Sequence, residues 1–300
     1  MRHRRAARPV LLWALRIAWV TLPLTAGVAA SSALESWATA PQIVAEALLW
    51  IAWAIGLLAT LAPRPESLTA LRVVAPGFVV VAVIVAIGSD TSTAAATVAV
   101  VATVVDLVLA STHDIALAAA NAGAYGDERR FLLRTPPALF LAPLPLARLA
   151  VAAAVAVPPL LLADEQWIFG LVTFGLAVPV VAVLVRALHG LSRRWAVLVP
   201  AGLVLVDPLT LTDPVLFLRE RVSALQAAPT GAAPEGVLDL RLGAAAGGVA
   251  VRFTDPAELQ RSARGRRGAA ATVQTSALWF AVAQRDEYLA LATARRIRTA

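Results

Sequence analysis

Three ionisable side chains in the apolar part of the chain have the types and spacing to bind a cation or carry a proton. Asp106 and His113 are seven residues apart, which places them two turns apart on one face of a helix, and Asp114 follows one position further round. Ionisable groups inside a membrane span are costly unless they are paired or hydrated, and they often mark ion paths, proton relays or polar cavities. Asp106 therefore predicts a proton or cation site, with His113 and Asp114 toward its cytoplasmic mouth.

A second interpretation of the same residues requires no transport. His113 and Asp114 then lie in the cytoplasmic headgroup layer and are solvated, so that only Asp106 is inside the membrane. Arg16, in the middle of the first apolar segment, is a candidate ion-pair partner for Asp106, because both would lie toward the cytoplasmic half. On this interpretation, Asp106 and Arg16 stabilise the fold.

The sequence contains no recognisable catalytic or metal-binding motif. One His and two Asp on a single helix are a weak set of metal ligands, and no Glu-x-x-His or His-x-x-x-His occurs elsewhere. There is also no nucleophile elbow, no phosphate-cradling glycine loop and no dinucleotide fingerprint. The sequence therefore predicts neither a cofactor nor a metal, and it favours a protein that is not an enzyme.

The composition indicates an integral membrane protein with a polar domain at its end. Hydrophobic residues make up 59% of the chain and charged residues only 15%, whereas soluble domains carry about 25% charged residues. The absence of cysteine excludes disulfides and thiolate metal sites. Because the last third is well charged, we expect a transmembrane domain over residues 1–190 and a cytoplasmic β-rich domain over residues 191–300.

Six apolar segments have the length of about 20 residues that a helix needs to cross a bilayer. The alternative for the first segment is a signal peptide cleaved near residues 28–30, which would leave five spans. Arg16 argues against cleavage, because the core of a signal peptide is normally uncharged. The expected spans are residues 10–30, 43–61, 71–88, 94–119, 137–162 and 167–188.

The charges of the loops predict the orientation of these spans. Residues 31–42, 89–93 and 163–166 contain acidic residues but no arginine, whereas the alternate loops contain arginines. Because cytoplasmic loops are enriched in basic residues, we expect a multi-pass protein of the plasma (inner) membrane with both termini in the cytoplasm. Topology explains the net charge of +7, and nucleic-acid binding is not expected, since no aromatic residues are interleaved with the arginines.

The loop between the fourth and fifth spans is the most charged part of the membrane region. Residues 125–134 read YGDERRFLLR. One interpretation is a topogenic loop whose arginines lie beside anionic headgroups. The other is a docking surface for the C-terminal domain on the same side of the membrane. The residues of this loop that we assign to docking or topology are Asp127, Glu128, Arg129, Arg130 and Arg134.

The C-terminal part predicts several strands followed by one helix. Residues 195–199 and 203–206 are joined by Pro-Ala-Gly, which is a strong hairpin signal. Further strands are expected at residues 215–218 and 278–282, a strand pair at 237–242 and 249–254, an arginine-rich loop at 261–267, and a terminal helix at 286–298. This order, and the stretch RWAVLVPAGLVLVDP at its start, resemble bacterial pleckstrin-homology-like domains. The expected fold class is an α-helical transmembrane bundle of about six spans plus a small C-terminal β-rich domain.

The whole chain is similar to multi-pass integral membrane proteins of actinobacteria through YGDERRF at residues 125–131 and VPAGLVLVDP at residues 199–208. That resemblance implies an architecture and no particular activity. We therefore expect a membrane-anchored scaffold or interaction protein in the lipid bilayer, whose cytoplasmic domain binds anionic lipid or a cytoplasmic protein. The alternative is a small proton- or cation-coupled transporter that uses Asp106.

Overall fold

The computed structural model describes residues 9–262 and 271–299. The chain forms two compact units. We call Met1–Ala119 with Pro143–His189 the helical unit, and Ala120–Ala142 with Gly190–Ala300 the sheet unit. Residues 1–8, the basic leader, and residues 263–267 of the expected arginine-rich loop lie outside the described residues.

Six of the described helices are long and apolar enough to cross a membrane. Together with the β-rich unit, they confirm the fold class expected from the sequence. In chain order the helices before the main run of strands are α1 (Pro9–Leu34), α2 (Thr39–Leu61), α3 (Pro65–Gly88), α4 (Thr93–Ser111), α5 (His113–Asn121), α6 (Pro137–Leu141), α7 (Pro143–Ala163) and α8 (Trp167–Ser192). The short helices α5 and α6 are the two that fall below the length of a span.

Two of the expected spans are interrupted in the structure. The fourth was expected to continue to residue 119, but α4 ends at Ser111 because Thr112 adopts an extended backbone (φ −63°, ψ 149°). The hydroxyl of Thr112 donates to the carbonyl of Leu109 at 2.7 Å, which satisfies one carbonyl of the last turn. The fifth is interrupted at Ala142 (φ −149°), because the residue before a proline, here Pro143, is disfavoured in helical geometry.

Helices α1 and α2 are held together by two tryptophans. The indole Nε1 of Trp19 donates to the carbonyl of Trp53 at 2.9 Å, and the indole Nε1 of Trp53 donates to the carbonyl of Trp19 at 2.9 Å. Trp19 is fully buried and lies against Gly56, where a Cβ atom would approach its Cζ2 to 1.9 Å. Gly56 therefore lets the two helices approach closely, as small residues do between transmembrane helices.

Among its described residues, the sheet unit contains eight strands in two four-stranded sheets. The first sheet has the order β1-β2-β3-β4 with antiparallel neighbours, and the second has the order β5-β7-β8-β6, in which only β6 runs parallel to its neighbour. The strands are β1 (Arg129–Leu132), β2 (Trp195–Val199), β3 (Gly202–Val206), β4 (Val215–Leu218), β5 (Val222–Ala227), β6 (Leu238–Asp239), β7 (Gly248–Arg261) and β8 (Ala271–Ala281), and helix α9 (Arg285–Ala294) follows them.

Strand β1 comes from the loop between the fourth and fifth spans. It pairs with β2 in antiparallel register, with Phe131 opposite Ala196. The ring of Phe131 is fully buried in the core of the sheet unit and meets the ring of Tyr288 from α9 edge to face, at 5.2 Å between centroids. The sheet unit is therefore built from residues that lie on both sides of α7 and α8 in the sequence.

The structure corrects several details expected for the C-terminal part. Residues 237–242 were expected to pair with residues 249–254, but β6 is only two residues long and pairs in parallel with β8. Leu242 and Gly243, where the two expected strands would be joined, have positive φ, and β7 pairs with β5 and β8 instead. The terminal helix ends at Ala294, so its expected last turn, which includes Arg296 at φ 59°, lies outside it.

Candidate functional site

Asp106 is a buried carboxylate in α4. Its exposure is 2%, and neither carboxylate oxygen has a hydrogen-bond partner among the described residues. Thr103 lies one turn earlier on the same buried face. Its hydroxyl donates to the carbonyl of Ala99 at 2.9 Å and therefore does not donate to the carboxylate of Asp106. A buried polar group without a partner is costly, so it calls for a ligand, a proton or a functional explanation.

The ion pair between Arg16 and Asp106 that the sequence suggested is not formed. The Nε of Arg16 donates instead to the carbonyl of Thr60 at 3.1 Å. Its guanidinium also lies over the ring of Trp13, 4.8 Å from the centroid. Arg16 is thus satisfied within α1 and α2, and the carboxylate of Asp106 is left without a cation.

His113 and Asp114 begin a different helix from Asp106. Because Thr112 separates α4 from α5, the single helical face expected for Asp106 and His113 does not exist. The Nε2 of His113 is buried and has no hydrogen-bond partner in the described part of the chain. Asp114 lies in the first turn of α5, where a negative charge is favoured by the helix dipole.

The guanidinium of Arg130 caps the C-terminal end of α5. Its guanidinium donates to the carbonyls of Ala120 at 3.0 Å and Gly123 at 2.9 Å, which satisfies carbonyls at the helix C-terminus. The backbone of Arg130 exchanges two hydrogen bonds with the side chain of Asn121, both 3.0 Å. The guanidinium also lies 5.2 Å from the ring centroid of Trp195 in β2.

The other charged residues of this loop make contacts within the sheet unit. Glu128 pairs with Arg130 at 2.7 Å; burial opposes its ionisation, but the hydrogen bonds from Arg130 and from the backbone of Tyr125 prevail and lower the pKa of Glu128. Arg129 forms an ion pair at 3.6 Å with Glu287 of α9. The carbonyl of Asp127 accepts a hydrogen bond from Arg295.

A buried ion pair anchors the last residue of the loop. The guanidinium of Arg194 binds both carboxylate oxygens of Asp207, at 2.6 and 2.8 Å, and both side chains are almost fully buried. Its remaining nitrogen donates to the carbonyl of Arg134 at 2.9 Å. The backbone N–H of Arg134 donates to Ala281 of β8 at 2.9 Å. Both of these hydrogen bonds are made by the backbone of Arg134, so the sequence pattern could not reveal them.

Asp239 and Tyr288 of the sheet unit also have shifted pKa values. Hydrogen bonds from Arg241 hold the pKa of Asp239 below its usual range, and Arg241 lies over the ring of Trp279 at 4.6 Å. Burial raises the pKa of the Tyr288 phenol, whose oxygen has no partner among the described residues. We assign both to the packing of the domain, because Asp239 is paired with Arg241 and Tyr288 lies in the hydrophobic core.

The helical unit contains a set of neighbouring polar residues that sequence reasoning did not bring together. His189 of α8 approaches two residues of α3: its Nε2 lies 3.9 Å from Glu66, and its Nδ1 lies 3.5 Å from the hydroxyl of Thr69. Two turns into α3, the Nε of Arg72 is buried without a hydrogen-bond partner in the described residues, and Arg148 of α7 is its charged neighbour. The three-residue spacing of Glu66, Thr69 and Arg72 is the sequence pattern that could have indicated these polar contacts.

An open cavity of about 560 Å³ lies among α1, α2, α3 and α4 of the helical unit. Its lining includes the aromatic residues Trp50, Trp53 and Phe78 and the acidic residues Glu35 and Glu46. Sequence reasoning did not identify this cavity, because its wall combines the end of one helix with the beginning of the next. Each carboxylate on its own resembles an ordinary interfacial residue.

Comparison with other proteins assigns no family to this arrangement. No protein-family model, curated protein or solved structure matches the chain. Within the described residues, no group of three or more His, Cys, Asp or Glu side chains is placed to hold a metal ion. The function of the chain must therefore be inferred from the geometry of the two units.

Proposed function

We propose that the protein is a membrane-anchored scaffold whose sheet unit binds a cytoplasmic protein. The observation that carries this proposal is the pairing of β1 with β2. It makes the sheet unit a domain with chain connections to the helical unit at three places, after Ala119, after Ala142 and before Gly190. A binding domain attached in this way is connected to the membrane region at three positions of the chain instead of one.

The surface best suited to a protein partner is β4. It is the last strand in the order of its sheet, so one of its edges has no neighbouring strand among the described residues. Leu216 and Leu218 point to one face of β4 and are 49% and 41% exposed, whereas Phe217 between them is buried. An exposed apolar edge strand is a template for a further strand, which a partner segment supplies in β-augmentation.

This surface favours a protein over anionic lipid as the partner. Lipid headgroups are recognised by clusters of basic residues, at about 1 kcal/mol for each arginine near the surface. The exposed side chains of β4 are leucines, which suit the alternate side chains of an added strand.

The order of strands followed by α9 also supports the proposed pleckstrin-homology-like relationship. The charges of the loops support a location in the plasma membrane with both termini in the cytoplasm.

A photo-crosslinking experiment tests the scaffold proposal in the full chain. A crosslinking amino acid is placed at Leu218, and the protein is irradiated in native membranes. We expect one discrete protein adduct, and we expect Leu216→Asp in the same chain to abolish it. The matched control places the crosslinker at Glu235, an exposed residue of the same unit. Adducts with lipid alone, or equal adducts from both positions, would overturn the proposal.

A reporter fusion tests the proposed orientation separately. A reporter that is active only in the cytoplasm is fused to the C-terminus, and we expect this fusion to be active. A C-terminal reporter found outside the cell would contradict the orientation, and with it the cytoplasmic partner.

The second candidate function is a proton- or cation-coupled carrier, and the unpartnered carboxylate of Asp106 favours it. We expect flux in proteoliposomes to be lost in Asp106→Asn while the protein elutes as a folded monodisperse species. Thr103→Val, one turn away on the same buried face, is the control that leaves flux intact. Flux that persists in Asp106→Asn would exclude this residue from the path.

A further inference from the structure

We propose that the cavity of the helical unit binds a small lipophilic cation, of the class of quaternary ammonium or phosphonium ions with apolar substituents. This inference is independent of the proposed scaffold function, because it concerns only residues of α1 to α4 and the turn between α1 and α2. The size of the cavity, the aromatic residues in its wall and the sign of its charges all favour such an ion.

The size of the cavity fits an organic ion rather than a bare metal. Its volume of about 560 Å³ lies within the range of roughly 300–1,000 Å³ typical of sites for small organic ligands. Most of the wall is aliphatic, from residues such as Leu22, Val81 and Val85. A metal ion requires several oxygen or nitrogen ligands at short distance, and this wall offers too few. An ion with apolar substituents fills the same space by burying its own hydrocarbon.

Three aromatic rings give the wall an affinity for positive charge. Trp50 and Trp53 meet edge to face at 5.4 Å between centroids. Phe78 is held by an edge-to-face contact with Trp19 at 5.8 Å. The face of an aromatic ring attracts a cation by about 0.5–2 kcal/mol, most strongly when the cation is desolvated. Aromatic rings around a poorly hydrated cation are the usual recognition mode for quaternary ammonium groups.

Trp53 and Phe78 are held in place before any ligand arrives. The indole N–H of Trp53 is committed to the carbonyl of Trp19, so the ring cannot rotate without losing a hydrogen bond. Trp50, which is 56% exposed, forms the accessible side of the pair. A preformed wall lowers the entropy cost of binding, because few side chains must be ordered when the ligand enters.

The charges of the cavity have a single sign. Glu35, just after α1, and Glu46, in the second turn of α2, are the ionisable side chains in its described lining, and no arginine or histidine accompanies them. Glu46 accepts one hydrogen bond, from Gln42 at 3.0 Å, which leaves its second carboxylate oxygen available. Two carboxylates without a cation beside an aromatic wall attract a positive ligand and repel a negative one.

A pair of ions that differ in charge but not in shape tests the proposal on the unmodified protein. Tetraphenylphosphonium and tetraphenylborate have nearly the same size and apolar surface. Binding of each to the full chain in nanodiscs is measured by equilibrium dialysis against empty nanodiscs. We expect saturable binding of tetraphenylphosphonium at one site and no saturable binding of tetraphenylborate. Equal binding of the two ions, or no saturable binding of either, would overturn the proposal.

Variants then assign the site to its residues. We expect Glu46→Gln to weaken tetraphenylphosphonium binding about tenfold, which corresponds to 1.4 kcal/mol, and the further change Glu35→Gln to weaken it again. Trp50→Leu removes only the accessible ring, and we expect about a threefold to tenfold loss. Glu66→Gln is the control, since Glu66 lies in the same unit and outside the cavity lining. Unchanged affinity in both Glu46→Gln and Trp50→Leu would show that this cavity is not the site.

Discussion

Trp19 and Trp53 each donate an indole N–H to the backbone carbonyl of the other, and both hydrogen bonds are 2.9 Å long. The exchange fixes the relative height of α1 and α2, because a slip of either helix by one residue would break both bonds. It also explains why the neighbouring residue on α2 is Gly56, the only residue type that leaves room for the indole ring.

We predict that Gly56→Ala destabilises the helical unit by about 1–3 kcal/mol, the usual cost of overpacking. The free energy of unfolding in detergent is the measurement. Gly175→Ala is the control, because nothing lies within 4 Å of a Cβ atom there; it should be neutral or slightly stabilising. If the clash with Trp19 is the cause, Gly56→Ala should cost much less in a Trp19→Leu background. An equal cost in both backgrounds would contradict this explanation.

Asp106→Leu should raise the free energy of unfolding by about 1–3 kcal/mol, because it removes a buried carboxylate that has no partner. Unfolding of the full chain in detergent checks this expectation. Thr103→Val serves as the comparison, since its hydroxyl is bonded to a backbone carbonyl and its loss should not stabilise the protein. A lower stability of Asp106→Leu would mean that the carboxylate is satisfied by a bound ion or water.

We expect Asp207→Ala to destabilise the sheet unit by about 3–5 kcal/mol, because it leaves the guanidinium of Arg194 buried without its partner. Pulse proteolysis of the full chain, followed through a C-terminal tag, measures the effect. Asp286→Ala breaks the exposed pair with Arg285 and should change stability by less than about 1 kcal/mol. Similar effects of the two substitutions would argue against a buried pair.

The burial of Phe131 predicts that Phe131→Ala costs the sheet unit about 3–5 kcal/mol, through a cavity in its core. The same proteolysis assay applies. Tyr125 lies in the same loop and is 90% exposed, so Tyr125→Ala should change stability by no more than about 0.5 kcal/mol. If Phe131→Ala proves as mild as Tyr125→Ala, β1 is not part of the folded core.

A soluble version of the sheet unit should require β1. Residues 190–300 alone leave the β1 side of β2 unpaired, and an open edge strand promotes association. We expect residues 120–135 joined by a flexible linker to residues 190–300 to give a monomer with a dispersed NMR spectrum, and residues 190–300 alone to aggregate. A well-folded monomer of residues 190–300 would show that β1 is dispensable.

The six helices were predictable because long apolar segments have one backbone solution in a bilayer. Strand β1 was not, because the pattern RRFL is too short to distinguish a strand from a charged loop, and its partner β2 is far away in the sequence. The strand pair expected at residues 237–242 and 249–254 failed for a related reason: sequence neighbours were assumed to pair, whereas β8 lies between β6 and β7 in the sheet.

Among the candidate residues, Asp106 could be singled out because a charge in an apolar segment is visible without any structure. The role of Arg130 could not, because a helix cap depends on where α5 ends, and the sequence pattern did not predict α5 as a helix separate from α4. The cavity carboxylates Glu35 and Glu46 were hidden in the same way, since they become neighbours of one cavity only when α1 and α2 pack together.

The pairing of β1 with β2 also constrains how the chain is made. Two strands of one sheet must occupy the same side of a membrane, so the segment between them crosses an even number of times, and α7 and α8 are the two candidate spans in that segment. During synthesis β1 precedes these two helices and β2 follows them. A chain that inserts only one of them has its strands on opposite faces and cannot close the sheet. The sheet can therefore form only in chains in which the segment between β1 and β2 has crossed the membrane an even number of times.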